Sequence, residues 1–270
     1  MKKTLFSLLI ISFIMLSCNN IPVTKGEGCS IVVTGVEFTK SLNDAKATAV
    51  VENDRLILVS NAKRDNFNDP DGKLSNSTAP VLLARVDNTA PFTFSAKVTP
   101  TFKDTYDAGA LYVYLNPKLW FKYAFERDER QRTRIVTVRT IETSDDNNHD
   151  VIDSASVYMK ISSDVKTIAF YYSPDKENWQ LVRLFRNDYP DEIWVGLSSQ
   201  SPIGNGTSVT FEECSLTQSS VSAVSYTHLR AHETVLDLVC RLLLEKKKKK
   251  KTDKLIKYDV YKLLNRIKRY

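Results

Sequence analysis

The sequence predicts an all-β protein, an antiparallel sandwich of two sheets. Three observations carry that prediction. Short runs of β-branched and aromatic residues recur from residue 30 to residue 216, each bounded by Asn, Asp, Pro, Gly or Ser. No segment between residues 18 and 223 holds an apolar repeat of 3.6 residues over three turns. The composition, 42% hydrophobic and 26% charged, suits one sizeable core and argues against wholesale disorder.

Taken in order, the runs are Ser30–Phe38, Arg55–Ser60, Val81–Arg85, Phe92–Val98, Ala108–Leu115 and Leu119–Arg127. Arg132–Ile141, Ser154–Ile161, Thr167–Ser173, Trp179–Phe185, Glu192–Ser198 and Ser208–Leu216 follow. Roughly a dozen strands with tight turns describe a sandwich rather than an open sheet. The longest loop runs from Asn61 to Ser77 and is rich in turn formers: Asp65, Asn66, Asp69, Pro70, Asp71 and Gly72. Alternation also assigns faces. Along Leu119–Arg127, Phe121, Tyr123 and Phe125 point one way, toward the space between the sheets. Trp120, Lys122, Ala124 and Glu126 point the other way, and this mixture of aromatic, cation and anion suits a solvated or ligand-facing surface. Leu111, Val113 and Leu115 likewise oppose Ala110, Tyr112 and Tyr114.

Charge is unevenly placed. The chain nets +6, yet residues 224–270 hold 14 Lys and Arg against five acids, while residues 18–223 hold 22 basic against 27 acidic residues. The middle is mildly acidic, which excludes a nucleic-acid-binding core. The N-terminus has Lys2 and Lys3, an apolar run from Leu5 to Leu16, and then Ser17-Cys18. This resembles the leader and lipobox of bacterial lipoproteins, with residues 1–17 as signal peptide and Cys18 as the lipidated residue. Met15 and Leu16 stand where Leu and a small residue are commoner. Asn19 and Asn20 follow the Cys in place of an Asp. The expectation is a lipid anchor in the bacterial outer membrane, with the leaflet left open, and residues 18–29 as a linker to a sandwich over 30–218.

At the other end, residues 224–234 read VSYTHLRAHET and residues 237–245 read DLVCRLLLE, followed by Lys246 to Lys251. Residues 224–251 resemble a translated sequencing adapter, so 219–270 is expected to be a non-native tail with helix-forming composition. The apparent metal set of His228, His232 and Cys240 belongs to that tail. Cys29 and Cys214 are then the cysteines left for a disulfide, a possible pair if the first and last strands are neighbours.

Several segments resemble one family. They are Phe92-Thr93-Phe94, the stretch from Tyr106 to Tyr114, Trp120-Phe121-Lys122 with Glu126, and Ile135-Val136-Thr137. Tyr171-Tyr172-Ser173-Pro174-Asp175 with Trp179 and Arg183, Val195-Gly196-Leu197 with Ser201-Pro202, and Val209-Thr210-Phe211 continue the order. Over residues 45–218 the chain resembles the domain of unknown function 1349 family, concanavalin-A-like sandwiches related to the yeast regulator of enolase expression. The resemblance implies a concanavalin-A-like, jelly-roll fold and suits Asp65-Asn66-Phe67 in the long loop. One departure is the hairpin Asp175-Lys176-Glu177-Asn178, which lacks the Gly expected after Asp.

The chemistry expected of the middle is glycan binding without catalysis. Sugars present C–H faces that stack on aromatic rings and hydroxyls that need polar partners. Trp120, Lys122 and Glu126, with Tyr112 and Tyr114 beside them, supply that mixture. The competing expectations are a structural or protein-interaction module, in which Trp120 caps an edge and Lys122 and Glu126 form a solvated pair, and a glycoside hydrolase. For the hydrolase, Glu126 and Asp128 approach the E-x-D-x-x-E strand motif of sandwich glucanases, but the third acid is Gln131. No Gly-x-Ser-x-Gly elbow, Cys/His pair or phosphate loop appears, and no catalytic residue is assigned. Trp179 and Trp194 read as packing residues. Asp145-Asp146-Asn147-Asn148-His149-Asp150 and Asp65 to Asp71 are oxygen-rich and could suit calcium, yet neither has the spacing of a known calcium loop, and no cofactor or metal is assigned.

Overall fold

A computed structural model describes residues 26–221. The leader, Cys18 and the segment from residue 224 lie outside the described residues. The strands are β1 (Glu27–Val33), β2 (Val36–Leu42), β3 (Ala49–Glu52), β4 (Arg55–Asn61), β5 (Asn66–Asn68) and β6 (Ser75–Ser77). Next come β7 (Val81–Asp87), β8 (Phe92–Pro100), β9 (Ala108–Asn116), β10 (Leu119–Arg127), β11 (Thr133–Ile141) and β12 (Thr143–Val151). The series ends with β13 (Val157–Ser163), β14 (Thr167–Ser173), β15 (Gln180–Arg186), β16 (Glu192–Gln200) and β17 (Gly206–Thr217). A single helical turn, α1 (Ala45–Thr48), precedes β3.

Two antiparallel sheets face each other. The larger has eight strands in the order β1-β2-β7-β16-β9-β10-β11-β12, and the smaller has seven in the order β15-β14-β13-β8-β17-β4-β3. Strands distant in sequence lie side by side, as when β17 pairs with both β4 and β8.

Alternation fills the space between the sheets. Phe121, Tyr123 and Phe125 of β10 are fully buried there with Leu111 and Val113 of β9. Across the gap, Phe121 stacks on Phe185 with ring centroids 4.1 Å apart, and Tyr123 stacks on Phe170 at 4.9 Å. Gly109 answers a close approach: a Cβ there would lie 2.6 Å from the side chains of both Val98 and Val209 on the opposite sheet.

A second apolar cluster occupies the outer face of the larger sheet. It joins Tyr112, Tyr114, Trp120, Ala124, Val136, Val138 and Trp194, with Phe67 of the long loop packed against it. That loop is not structureless. Its β5–β6 hairpin folds back over the sheet, and the Asn68 amide N–H donates to Ser144 Oγ at 2.9 Å.

The structure corrects two expectations and adds one strand. Ser30–Phe38 is not one strand: Thr34 (φ 45°) and Gly35 (φ 85°) make a two-residue turn that splits it into β1 and β2. Asp145 to Asp150 form part of β12, a polar edge strand held by its backbone to β11. Cys29 and Cys214 are both free thiols, so the disulfide considered between them is absent. Cys29 donates instead to the Phe38 carbonyl at 3.2 Å, and burial pushes the Cys214 thiol up to about 12.

Candidate functional site

The outward face of β10 carries Trp120, Lys122, Ala124 and Glu126. Register places Tyr112 of β9 on one side of Lys122 and Val138 of β11 on the other, with Asp146 of β12 beyond Val138. Asn148 is reached from Ala124 in the same way, through Val136. These side chains meet under the long loop and make a depression of about 340 Å³. Lys122, Val136 and Val138 form its floor. Asp65, Phe67, Tyr106 and Pro202 enter from loops, and Glu126, Glu129, Asp146 and Asn148 complete the rim.

Lys122 holds this arrangement together. Its ammonium donates to Asp65 Oδ1 at 3.0 Å, to the Asn66 carbonyl at 3.0 Å and to Gln200 Oε1 at 3.1 Å. Those are three acceptors for three N–H bonds, so the buried charge is fully satisfied. Burial pulls the Lys122 ammonium down, but the charge of Asp65 outweighs it and holds the group above the ordinary lysine range. Tyr112 closes the network: its hydroxyl accepts from Gln200 Nε2 at 2.5 Å and from Asn66 Nδ2 at 3.4 Å. Burial raises the Tyr112 phenol, so the ring stays neutral.

The sequence-derived candidates occupy two levels. Lys122 and Glu126 line the depression. Trp120, Tyr112 and Tyr114 lie beneath it, Trp120 only 2% exposed. Trp120 Nε1 donates to the Pro117 carbonyl at 3.1 Å, and its ring sits 5.9 Å from that of Tyr112. The rings that reach the depression are Phe67 and Tyr106, the latter 37% exposed and left-handed at φ 67°. Sequence reasoning did not single out Tyr106, Asp146 or Asn148 as site residues. The signal for Phe67 was an aromatic among turn formers in a long loop.

The carboxyls differ in state. Burial, reinforced by the charges of Asp146 and Asp65, raises the Glu126 carboxyl to about 8 against the pull of Lys122 and Arg134. Burial also raises Asp146. Asp128 does not join them. It turns into the hairpin after β10, where its Oδ1 accepts from the backbone N–H groups of Arg130 and Arg132 and its Oδ2 from the Arg132 guanidinium. Gln131 takes the left-handed turn position at φ 64°. Glu126 and Asp128 therefore serve different structures. Among the described residues no three His, Cys, Asp or Glu side chains converge to hold a metal ion.

Trp194 packs in the outer cluster with the Lys40 ammonium 4.4 Å from its ring, and Trp179 lies half-buried beneath Lys160. His149 meets Thr137 at 2.9 Å.

Two apposed antiparallel sheets in this strand order define a concanavalin-A-like β-sandwich of jelly-roll type. The chain belongs to the family described as protein of unknown function (DUF1349), whose model matches residues 42–219. Among solved structures it is similar to a functionally unknown protein from Saccharomyces cerevisiae, with 23% identity and a TM-score of 0.61 over 66% of this chain and 95% of that one. It is also similar to the GH43 protein BlXynB from Bacillus licheniformis, with 12% identity and a TM-score of 0.54 over 70% of this chain. A third likeness is to a GH43B protein of a xyloglucan locus from Bacteroides ovatus, with 12% identity and a TM-score of 0.51 over 71% of this chain. The chain spans only 38% of each GH43 protein. These likenesses are of fold. No curated protein matches the chain.

Proposed function

We propose that the sandwich is a noncatalytic glycan-binding module whose ligand occupies the depression over β10, β11 and β12. The observation that carries this reading is the lining itself. Two accessible rings, Phe67 and Tyr106, stand with Glu126, Glu129, Asp146 and Asn148 around about 340 Å³, within the range of small-ligand sites. Rings suit the C–H faces of a sugar, and the polar rim suits its hydroxyls. The separation of Asp128 from Glu126 supports a role without catalysis, because the in-strand acid pair of the glucanase motif is not assembled. A glycan array probed with the protein and with a Tyr106→Ala variant tests the reading. Saturable binding lost in the variant is expected; no binding across the array defeats it and leaves the interaction-module reading.

One observation favours a second reading, hydrolysis. A carboxyl held at about 8, as in Glu126, stays protonated at neutral pH and could serve as a general acid. Release of reducing ends from a bound glycan, abolished by Glu126→Gln with binding retained, would replace the first reading with this one.

The proposal includes delivery to the bacterial outer membrane through acylated Cys18, resting on residues 1–20 alone. Cys18→Ala should move the protein from membranes to the soluble fraction; unchanged partition refutes the anchor.

A further inference from the structure

We propose that the open edge of the sandwich between β11, β12 and β15 is an oxyanion-binding site built on Arg139, fitted to the sulfate or carboxylate group of an acidic ligand. It is separate from the depression. Strand β12 divides the two, with Asp146 and Asn148 turned to the depression and Asp145 and His149 turned to this edge.

Two guanidiniums share one aromatic floor here. The Arg139 guanidinium carbon lies 5.4 Å from the Phe121 ring and 5.9 Å from the Phe185 ring, and that of Arg183 lies 6.0 Å from Phe121. Their neutralisation is unequal. Arg183 donates to Asp145 Oδ2 at 3.3 Å and to Thr137 Oγ1 at 3.1 Å. Arg139 has no carboxylate within ion-pair distance among the described residues, and its Nε is buried with no acceptor. The Tyr189 hydroxyl, whose ring meets Phe121 edge-on at 5.9 Å, is buried at the same edge and lies against the Arg139 guanidinium, to which it offers only a neutral oxygen.

A buried guanidinium with its Nε–H unaccepted and no negative charge beside it is costly unless something supplies the acceptor. The nearby acids are already engaged: Asp145 with Arg183, Asp150 with Tyr172, Asp188 with Arg186. His149 contributes no compensating negative charge. The missing partner is therefore an acceptor with negative charge, and a planar guanidinium over rings is suited to an oxyanion. Sulfate esters and uronate carboxylates both present that chemistry.

Calorimetric titration of the full chain with sodium sulfate and with sodium glucuronate, against sodium chloride at matched ionic strength, tests the site. At least one oxyanion should bind saturably and raise the unfolding midpoint above that in chloride. Sulfate alone assigns sulfate esters, glucuronate alone assigns uronates, and both assign a general oxyanion seat. Arg139→Met keeps the apolar stem over the rings and should weaken binding at least ~tenfold. Glu126→Gln should leave it unchanged, which separates the site from the depression. Binding no better than chloride, or equal in Arg139→Met, overturns the proposal. Should Arg139→Met fail to fold, the Arg139 Nε–H resonance of the unaltered protein decides. It must move with sulfate or glucuronate and not with chloride; an unmoved resonance is equally fatal.

Discussion

Lys122 and Asp65, 57 residues apart in sequence, form an ion pair at 3.0 Å that ties the long loop to the floor of the depression. The two side chains are 5% and 16% exposed. A pair this sheltered behaves unlike a surface salt bridge, because removing one member strands the other. In Lys122→Met, Asp65, Gln200 and the Asn66 carbonyl all lose the ammonium, and Asp65 keeps only the Asn66 backbone N–H on Oδ1. The expected loss is about 3 kcal/mol, the lower end of the range for a broken buried pair, since Asp65 keeps some contact with water. Urea unfolding measures it. A loss below ~1 kcal/mol would mean the loop is held by other contacts.

Trp120 and Tyr106 should separate stability from binding. Trp120 is packed on Tyr112 beneath the depression, so Trp120→Ala should cost about 3–5 kcal/mol and lower the melting temperature sharply. Tyr106 is exposed at the rim, so Tyr106→Ala should leave the melt nearly unchanged while weakening glycan binding by about 1–2 kcal/mol. Thermal unfolding and titration on the same two variants check this. An unperturbed melt in Trp120→Ala would contradict the packing described above.

Much of this fold was legible because alternation is a local signal. Period two along β10 sorted Phe121, Tyr123 and Phe125 from Trp120, Lys122 and Glu126, and the structure buries the first set between the sheets. Facing outward, however, does not fix exposure. Trp120 and Tyr112 point away from the core and are still buried, because Phe67 and Asn66 arrive from a loop whose path no periodicity encodes. Strand β12 was illegible for a different reason. Its residues, Thr-Ser-Asp-Asp-Asn-Asn-His-Asp-Val, have low strand propensity, and only register against β11 makes them extended. Such polarity also blunts a sheet edge against pairing with other chains. The Thr34-Gly35 turn, by contrast, carries a local signal, because Gly35 interrupts the apolar run where the chain needs a positive φ.

The hairpin without its expected glycine yields a stabilising substitution. Lys176, directly after Asp175, takes the left-handed conformation at φ 68°, while Asp175 Oδ1 caps the Glu177 and Asn178 amides at 2.9 and 2.7 Å. A non-glycine residue there costs about 1 kcal/mol. Its exposed ion pair with Glu213 recovers only a few tenths. Lys176→Gly should therefore raise unfolding free energy by about 0.5–1 kcal/mol; a loss of stability would show that the ion pair dominates.

The thiols give a chemical check on the core. Cys214 is 3% exposed with its thiol held to about 12, so alkylation of native protein should label it far more slowly than Cys29. After unfolding without reductant, peptides carrying Cys29 and Cys214 should each bear the label. A single peptide pair joined through sulfur would restore the disulfide.

Glu126 should make stability fall as pH rises, the reverse of the usual carboxylate. Its ordinary value of 4.5 is raised to about 8 in the folded protein, chiefly by burial. Between those values the folded state holds a proton that the unfolded state has released, so unfolding free energy declines with increasing pH across that window. Below about 4.5 both states are protonated and the group has no effect; above about 8 both are ionised and the full desolvation cost is present. Glu126→Gln keeps the shape of the protonated acid and removes the titration. The variant should match the unaltered protein near pH 4.5 and exceed it by roughly 1–3 kcal/mol above pH 8, a range reduced for the carboxyl's partial contact with solvent. Urea midpoints at pH 5, 7 and 9 for both proteins read the difference. If the two curves stay parallel, the Glu126 carboxyl is ionised throughout, and with it falls the case for Glu126 as a proton donor to any ligand in the depression.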